Sequence, residues 1–229
     1  MNSAIIVAAG KGTRKGPGVD KLFLEVAGRP VLAHTWQRFN DARCIDDLVI
    51  VVRDGMQSAF QEMAAQFNFT KPFQLVPGGV ERQDSVWHGL AALPATAEIV
   101  AIQDAARPCT SEQLIADTIA AAHEVGAAVA GQPVTDTIKE TADGRNISRN
   151  VDRTKLWAMQ TPQTFRVEVI RRAFAEMRKR GLAVTDDTAA CELIGQPVRL
   201  VASATANPKV TLPGDLVVIE ALLRSEART

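Results

Sequence analysis

Ala4-Ile5-Ile6-Val7-Ala8-Ala9-Gly10-Lys11-Gly12-Thr13-Arg14-Lys15-Gly16, with Asp20-Lys21-Leu22 just beyond, decides how the rest of the chain is read. Ala4 to Ala8 is a short apolar run rich in β-branched residues, the pattern of a strand covered on both faces in a parallel sheet. A glycine-rich loop follows at once. Gly10 and Gly12 let main-chain N–H groups come close to a ligand. Lys11, Arg14, Lys15 and Lys21 add positive charge, so the loop suits a polyanion such as a nucleoside triphosphate. Two other glycine motifs fit less well. In the dinucleotide fingerprint G-x-G-x-x-G the third glycine would stand at position 15; here it stands at Gly16, followed by Pro17 where a helix should run. The P-loop pattern G-x-x-x-x-G-K-[ST] is not matched in the loop. A plain surface turn with solvated charges is the remaining reading.

Outward from that loop, strand and helix alternate. Pro30 to Asn40 predicts a helix with Val31, Leu32, Thr35, Trp36 and Phe39 on one face. Leu48 to Val52 is a second buried strand, Asp54 to Phe67 a helix, and Phe73 to Val76 a third strand. Gly78-Gly79 turns the chain into a helix over Glu81 to Leu93. Ile99 to Ile102 is a fourth strand, ending at Gln103-Asp104. Ser111 caps a helix to about Glu124, and Ala127 to Ala130 is another strand. The alternation predicts an α/β, Rossmann-like fold: a mostly parallel central sheet with helices on both faces, in a single domain over residues 1–229. After Val134 the pattern changes. Asp136 to Glu140 and Asn146 to Val151 alternate polar and apolar around Asp143-Gly144, the signature of a β-hairpin over about 136–151. It is too polar for the central sheet and too small to stand alone, so it must lie on this subunit or another. Val167 to Arg180, Thr188 to Ile194 and Pro213 to Leu223 read as helices, and Val198 to Val201 as a strand.

Composition narrows the function. The chain has 229 residues, 46% of them hydrophobic, and a formal net charge of zero. A neutral chain lacks the basic excess that general nucleic-acid or membrane-surface binding needs, so its local cations serve a specific anion. Three Trp and no Tyr also disfavour a stacking platform for single strands. Cys44, Cys109 and Cys191 are scattered and odd in number, which suits reduced thiols in the cytoplasm. No apolar run could span a bilayer, and the first strand begins too early for a signal peptide. In open parallel sheets ligands sit at the carboxyl ends of strands. That places the first glycine loop beside Asp104-Ala105-Ala106-Arg107-Pro108, where Asp104 could hold a divalent cation or orient a hydroxyl, or could pair with Arg107 in a turn.

Ala8-Ala9-Gly10-x-Gly12-Thr13-Arg14 with Lys21 resembles the signature of nucleotidyltransferases that activate sugars and polyols. Asp104-Ala105-Ala106-Arg107-Pro108, Gly78-Gly79-Val80-Glu81-Arg82-Gln83-Asp84-Ser85, Pro133 to Lys139, Gln160-Thr161-Pro162-Gln163 and Asn207-Pro208-Lys209-Val210-Thr211 narrow the resemblance to the 2-C-methyl-D-erythritol 4-phosphate cytidylyltransferases of non-mevalonate isoprenoid synthesis. It spans Ile5 to Leu223, with its motifs in the right order. It implies CTP and 2-C-methyl-D-erythritol 4-phosphate as substrates. It implies nucleotide contacts at Ala8, Ala9, Gly10, Gly12, Gly79, Ser85 and Ala105. Arg14, Lys21 and Lys209 would act on the reacting phosphates, and Asp104, Arg107, Thr137, Arg153 and Thr161 on the acceptor. Mg²⁺ would ride mainly on the CTP phosphates, with Asp104 as its one candidate protein ligand. The active unit would be a homodimer, each hairpin arm reaching the partner's site with Thr137 and Arg153. Two departures stand out: Val80 where some relatives carry an acid, and Pro208 where an aliphatic residue is usual. Thr185-Asp186-Asp187 is expected to cap the next helix. His34, His88 and His123 match no site and read as structural. The alternatives are a ribitol-5-phosphate cytidylyltransferase and, in other classes, a dinucleotide-dependent oxidoreductase or a nucleotide-sensing binding protein.

Overall fold

The computed structural model describes residues 1–10 and 20–226. The stretch 11–19, which includes Gly12 and Arg14, lies outside the described residues. Strand β1 (Asn2–Ala8) runs parallel to β4 (Asp47–Val52) on one side and to β6 (Ile99–Asp104) on the other. β4 is flanked by β5 (Phe73–Pro77), again parallel. The far half of the sheet holds β7 (Ala127–Pro133), β10 (Trp157–Arg166) and β11 (Arg199–Ala202), giving seven strands in the order β11-β7-β10-β6-β1-β4-β5. Along β1, Ala4, Ile6 and Ala8 join one core and Ile5 the other. Leu48, Ile50 and Val52 separate from Val49 and Val51 along β4 in the same way. The two-residue period of a strand thus sends alternate apolar side chains to opposite layers, and both faces are covered.

The helices supply the cover. On one face lie α1 (Val31–Asp41), α2 (Gln57–Gln66), α4 (Glu112–Val125) and the closing α7 (Asp215–Glu226). Every residue expected on the inner face of α1 is buried, and Trp36 stacks on Phe69 at 4.8 Å between ring centres. On the other face lie α3 (Arg82–Ala91), α5 (Val167–Lys179) and α6 (Asp187–Glu192). The predicted caps hold. Ser111 Oγ accepts from Leu114 N at 3.2 Å, and Asp186 Oδ1 accepts from Ala189 N at 2.9 Å. A small ribbon, β2 (Glu25–Val26) with β3 (Arg29–Pro30), turns through Ala27 and Gly28, both with positive φ.

Two elements differ from the sequence reading. β10 is a central strand, antiparallel between β6 and β7, in a segment whose polarity and Pro162 argue against one. It is accommodated because its register breaks between Met159 and Gln163, which leaves Gln160, Thr161 and Pro162 off the ladder with β7. Its buried polar groups also find partners, such as Thr164 Oγ1 with Thr118 Oγ1 at 3.0 Å. The hairpin forms, but β8 (Ile138–Glu140) and β9 (Arg149–Val151) pair over only three residues a side. Asp143-Gly144 is not a two-residue bend. Residues 141–148 form a wider loop organised by the Asp143 carboxylate, which accepts from Arg145 N at 2.9 Å and Asn146 N at 2.7 Å. Among the described residues, no helix is long and apolar enough to cross a membrane.

Candidate active site

The strand order reverses about β1, so a crevice opens at the carboxyl ends of β1 and β6. The cleft there measures about 730 Å³ and is lined by Ala9, Gly10, Lys21, Gly79, Ser85, Asp104, Ala105 and Lys209 together with Arg53, Asp54, Glu81 and Arg82. The end of β1 and the Gly78-Gly79 turn meet in its floor. Gly78 N donates to Val52 O at 2.8 Å, and a Cβ on Gly78 would stand 2.2 Å from the Ala9 Cβ. A Cβ on Gly79 would stand 2.2 Å from the Asp84 Cβ. Both glycines are therefore demanded by close approach. The turn is fixed by Ser85, whose Oγ accepts from Gly79 N at 3.1 Å and donates to Glu81 O at 3.2 Å. Ser85 is buried and its hydroxyl is committed to the turn, while residues 78–80 border the cleft. Val80 is 95% exposed beside them, an apolar side chain at the cleft mouth.

Charge in the cleft is organised around Asp104. Its Oδ2 accepts from Lys209 Nζ at 2.7 Å and its Oδ1 from Arg82 Nε at 3.4 Å, with Arg107 Nε 3.8 Å away. Burial alone would raise this carboxyl, but Arg82, Lys209 and Arg107 outweigh burial and hold it at about 2. Arg82 also makes a two-pronged pair with the fully buried Asp187, at 3.0 and 2.8 Å. Asp186 caps α6, which leaves Asp187 to form with Arg82 the bridge that ties α6 to α3, while Glu81 and Asp84 form the capping box of α3. Lys21 Nζ donates to Val210 O at 2.8 Å, which brings the end of the first glycine loop against the Lys-Val-Thr segment. Arg53 pairs with Asp20 at 2.6 Å. Arg53 and Asp54 follow β4 as Gly10 follows β1, so the strand-end rule that picked out Asp104 also applies to them.

Of the other expected site residues, Ala105 borders the cleft and the rest stand outside its lining. Ala8 and Ala105 are buried, and Ala105 O accepts from Thr35 Oγ1 at 2.8 Å. Arg107 is buried beneath the cleft, its Nη1 donating to Asn207 O at 2.7 Å. Thr161 is buried behind Asp104, whose N–H donates to Thr161 Oγ1 at 3.1 Å. Thr137 and Arg153 sit at the exposed base of the hairpin, outside the cleft lining, with the Arg153 guanidinium on Thr135 O. None of the three cysteines lines the cleft, and burial pushes the Cys109 and Cys191 thiols up to about 12. The histidines lie outside the cleft, bound to Val26 O, Pro77 O and Asn2 Oδ1. Among the described residues, no three His, Cys, Asp or Glu side chains converge on a metal position.

A crevice at a parallel sheet's carboxyl end, lined by close-packed glycines and two lysines and, among the described residues, by no His or Cys, fits a nucleotidyltransferase. The sequence profile of 2-C-methyl-D-erythritol 4-phosphate cytidylyltransferase (IspD) matches residues 2–225. A 2-C-methyl-D-erythritol 4-phosphate cytidylyltransferase from Desulforamulus reducens is 42% identical over 222 residues, 96% of this chain and 95% of the relative. One from Caldanaerobacter subterraneus is 40% identical over 97% of this chain and 98% of its own length. Among solved structures, the 4-diphosphocytidyl-2C-methyl-D-erythritol synthase of Anaerococcus prevotii superposes with a TM-score of 0.85 at 28% identity, covering 97% of this chain and 98% of that one. The 2-C-methyl-D-erythritol 4-phosphate cytidylyltransferase of Thermus thermophilus gives 0.79 at 34% identity, over 96% and 98%. The chain belongs to the 2-C-methyl-D-erythritol 4-phosphate cytidylyltransferase family.

Proposed function

We propose that the cleft transfers CMP from CTP to 2-C-methyl-D-erythritol 4-phosphate, releasing pyrophosphate. The observation that carries this reading is the approach of Lys21 and Lys209 to one cleft that Ala9, Gly10, Gly78 and Gly79 also line. A phosphate monoester is ionised at neutral pH, so its oxygen can attack the α-phosphorus in line without a general base. Catalysis is then positioning and charge stabilisation. Main-chain groups at Ala9, Gly10 and Gly79 hold the nucleotide. Lys21, joined by Arg14, stabilises the triphosphate and the departing pyrophosphate. Lys209 stabilises the charge that grows on the α-phosphoryl oxygens. Asp104 keeps Lys209 aimed, and Thr161 and Arg107 set Asp104 and its turn. Asp104 is paired with Lys209 and Arg82, so in this proposal it serves the lysine rather than a metal. Mg²⁺ would be carried by the CTP phosphates, where it would neutralise part of their charge.

Lys21→Ala and Lys209→Ala should each lower kcat by roughly 10²–10³, the scale for one preorganised electrostatic group. Unchanged turnover in both would remove the reading. A cytoplasmic homodimer belongs to the same proposal. Thr137 and Arg153 stand away from their own subunit's cleft, and an arginine offers a fixed two-pronged donor to a phosphate. Mixing inactive Lys21→Ala and Arg153→Ala proteins under subunit exchange tests it. With shared sites, half the dimers are mixed and half of their sites are intact, so activity returns to about a quarter of wild type. A mixture that stays inactive despite exchange places Arg153 in its own subunit's chemistry.

A further inference from the structure

We propose that Asn207 is a positioning residue that acts through Lys209. Residues 203–214 connect β11 to α7 without a strand or helix, so no backbone ladder sets where the lysine stands. A lysine head on a flexible stem is useful at a reacting phosphate only if its backbone is anchored. Asn207, two residues earlier, is 1% exposed and supplies the anchor. Its Nδ2 donates to Thr161 O at 2.8 Å and to Gln160 Oε1 at 3.2 Å. Its Oδ1 accepts from Thr110 Oγ1 at 3.0 Å, and its main-chain carbonyl accepts from Arg107 Nη1 at 2.7 Å. Both amide donors and the side-chain acceptor are therefore used.

The partners are what turn this from a packing contact into a device. Arg107 and Thr110 lie on the turn that follows Asp104, and Gln160 and Thr161 lie in the off-ladder segment of β10. Thr161 binds twice: its hydroxyl accepts from Asp104 N, and its carbonyl accepts from Asn207. Both ends of the 2.7 Å Lys209–Asp104 pair are thus referred to one residue. Pro208, between anchor and lysine, fixes its own φ and biases Asn207 to an extended backbone, which removes slack. On the far side, Val210 N donates to Ala106 O at 2.8 Å. The lysine is held from before and after.

The inference rests on the role given to Lys209, and a double-mutant cycle separates the two. Pyrophosphate release from CTP and 2-C-methyl-D-erythritol 4-phosphate is measured for Asn207→Ala, Lys209→Ala and the double variant. Asn207→Ala should lower kcat by about 10–10²-fold, the effect of a small misplacement, with KM for CTP within about threefold of wild type. In the Lys209→Ala background the same substitution should change kcat by less than about threefold, because the group it positions is gone. A loss that persists undiminished there overturns the inference and leaves Lys209 in place. Wild-type kcat in Lys209→Ala overturns both. If Asn207→Ala does not fold, the near-isosteric Thr110→Val, which removes the Oδ1 donor, is read in the same cycle against the same criteria.

Discussion

Replacing Asp104 with asparagine keeps the shape of the side chain and removes the charge on which Lys209, Arg82 and Arg107 converge. Its size follows from linkage. The Asp104 carboxyl is lowered from its ordinary 3.8 to about 2 in the folded chain. That difference amounts to about 2 kcal/mol of stability at pH 7. Because the folded value lies below the unfolded one, the contribution is whole above the unfolded pKa and is lost as pH falls through the folded one. About 1 kcal/mol of it should be gone by pH 3 and nearly all by pH 1. Urea unfolding followed by tryptophan fluorescence, on wild type and Asp104→Asn at pH 7, 5, 4 and 3, reads this directly. The gap should be about 2 kcal/mol at pH 7 and narrow by about 1 kcal/mol at pH 3, with m unchanged. A gap that stays constant from pH 7 to pH 3 would show that the three cations do not act on this carboxylate as their positions require. Turnover should fall as well, since Lys209 loses its anchoring charge.

Gly78→Ala should destabilise the fold by about 1–3 kcal/mol through the clash with Ala9, and it should raise KM for CTP because the end of β1 and the Gly78-Gly79 turn separate. Wild-type thermal stability and KM together would contradict the close approach. Asp187→Asn should lower stability by about 2–4 kcal/mol, since it leaves Arg82 half of a broken, largely buried pair. A shift in Tm of less than about 2 °C would contradict it. Alanine at His34, His88 or His123 should leave turnover within about threefold of wild type, because a general acid or base would contribute 10²–10⁴. An inactive but folded single variant would reveal a proton transfer at that residue.

The parallel half of the sheet was legible because its strands announce themselves. Runs such as Leu48 to Val52 are apolar throughout, and the helices between them carry a clear inner face. β10 was not legible, because Gln160, Thr161, Gln163 and Thr164 are polar residues that tolerate burial only through partners distant in sequence. Candidate residues on strand ends, such as Asp104 at the end of β6, could be picked out by position alone. The Arg82–Asp187 bridge could not, since its members lie 105 residues apart and each has an ordinary local reading beside a helix start. The hairpin was found from its alternation, but the loop at its tip depends on how one carboxylate, Asp143, gathers the amides that follow it. The anchor of Lys209 was hidden for a similar reason: Asn207 stands inside a recognisable motif, yet its partners come from two other places in the chain.

The most direct test of the account is a pyrophosphate-release assay that crosses CTP, ATP, GTP and UTP with 2-C-methyl-D-erythritol 4-phosphate and ribitol 5-phosphate in the presence of Mg²⁺. Efficient release is expected for CTP with 2-C-methyl-D-erythritol 4-phosphate and little for any other pair. Higher efficiency with ribitol 5-phosphate, or tight NAD(H) binding without any release, would contradict it.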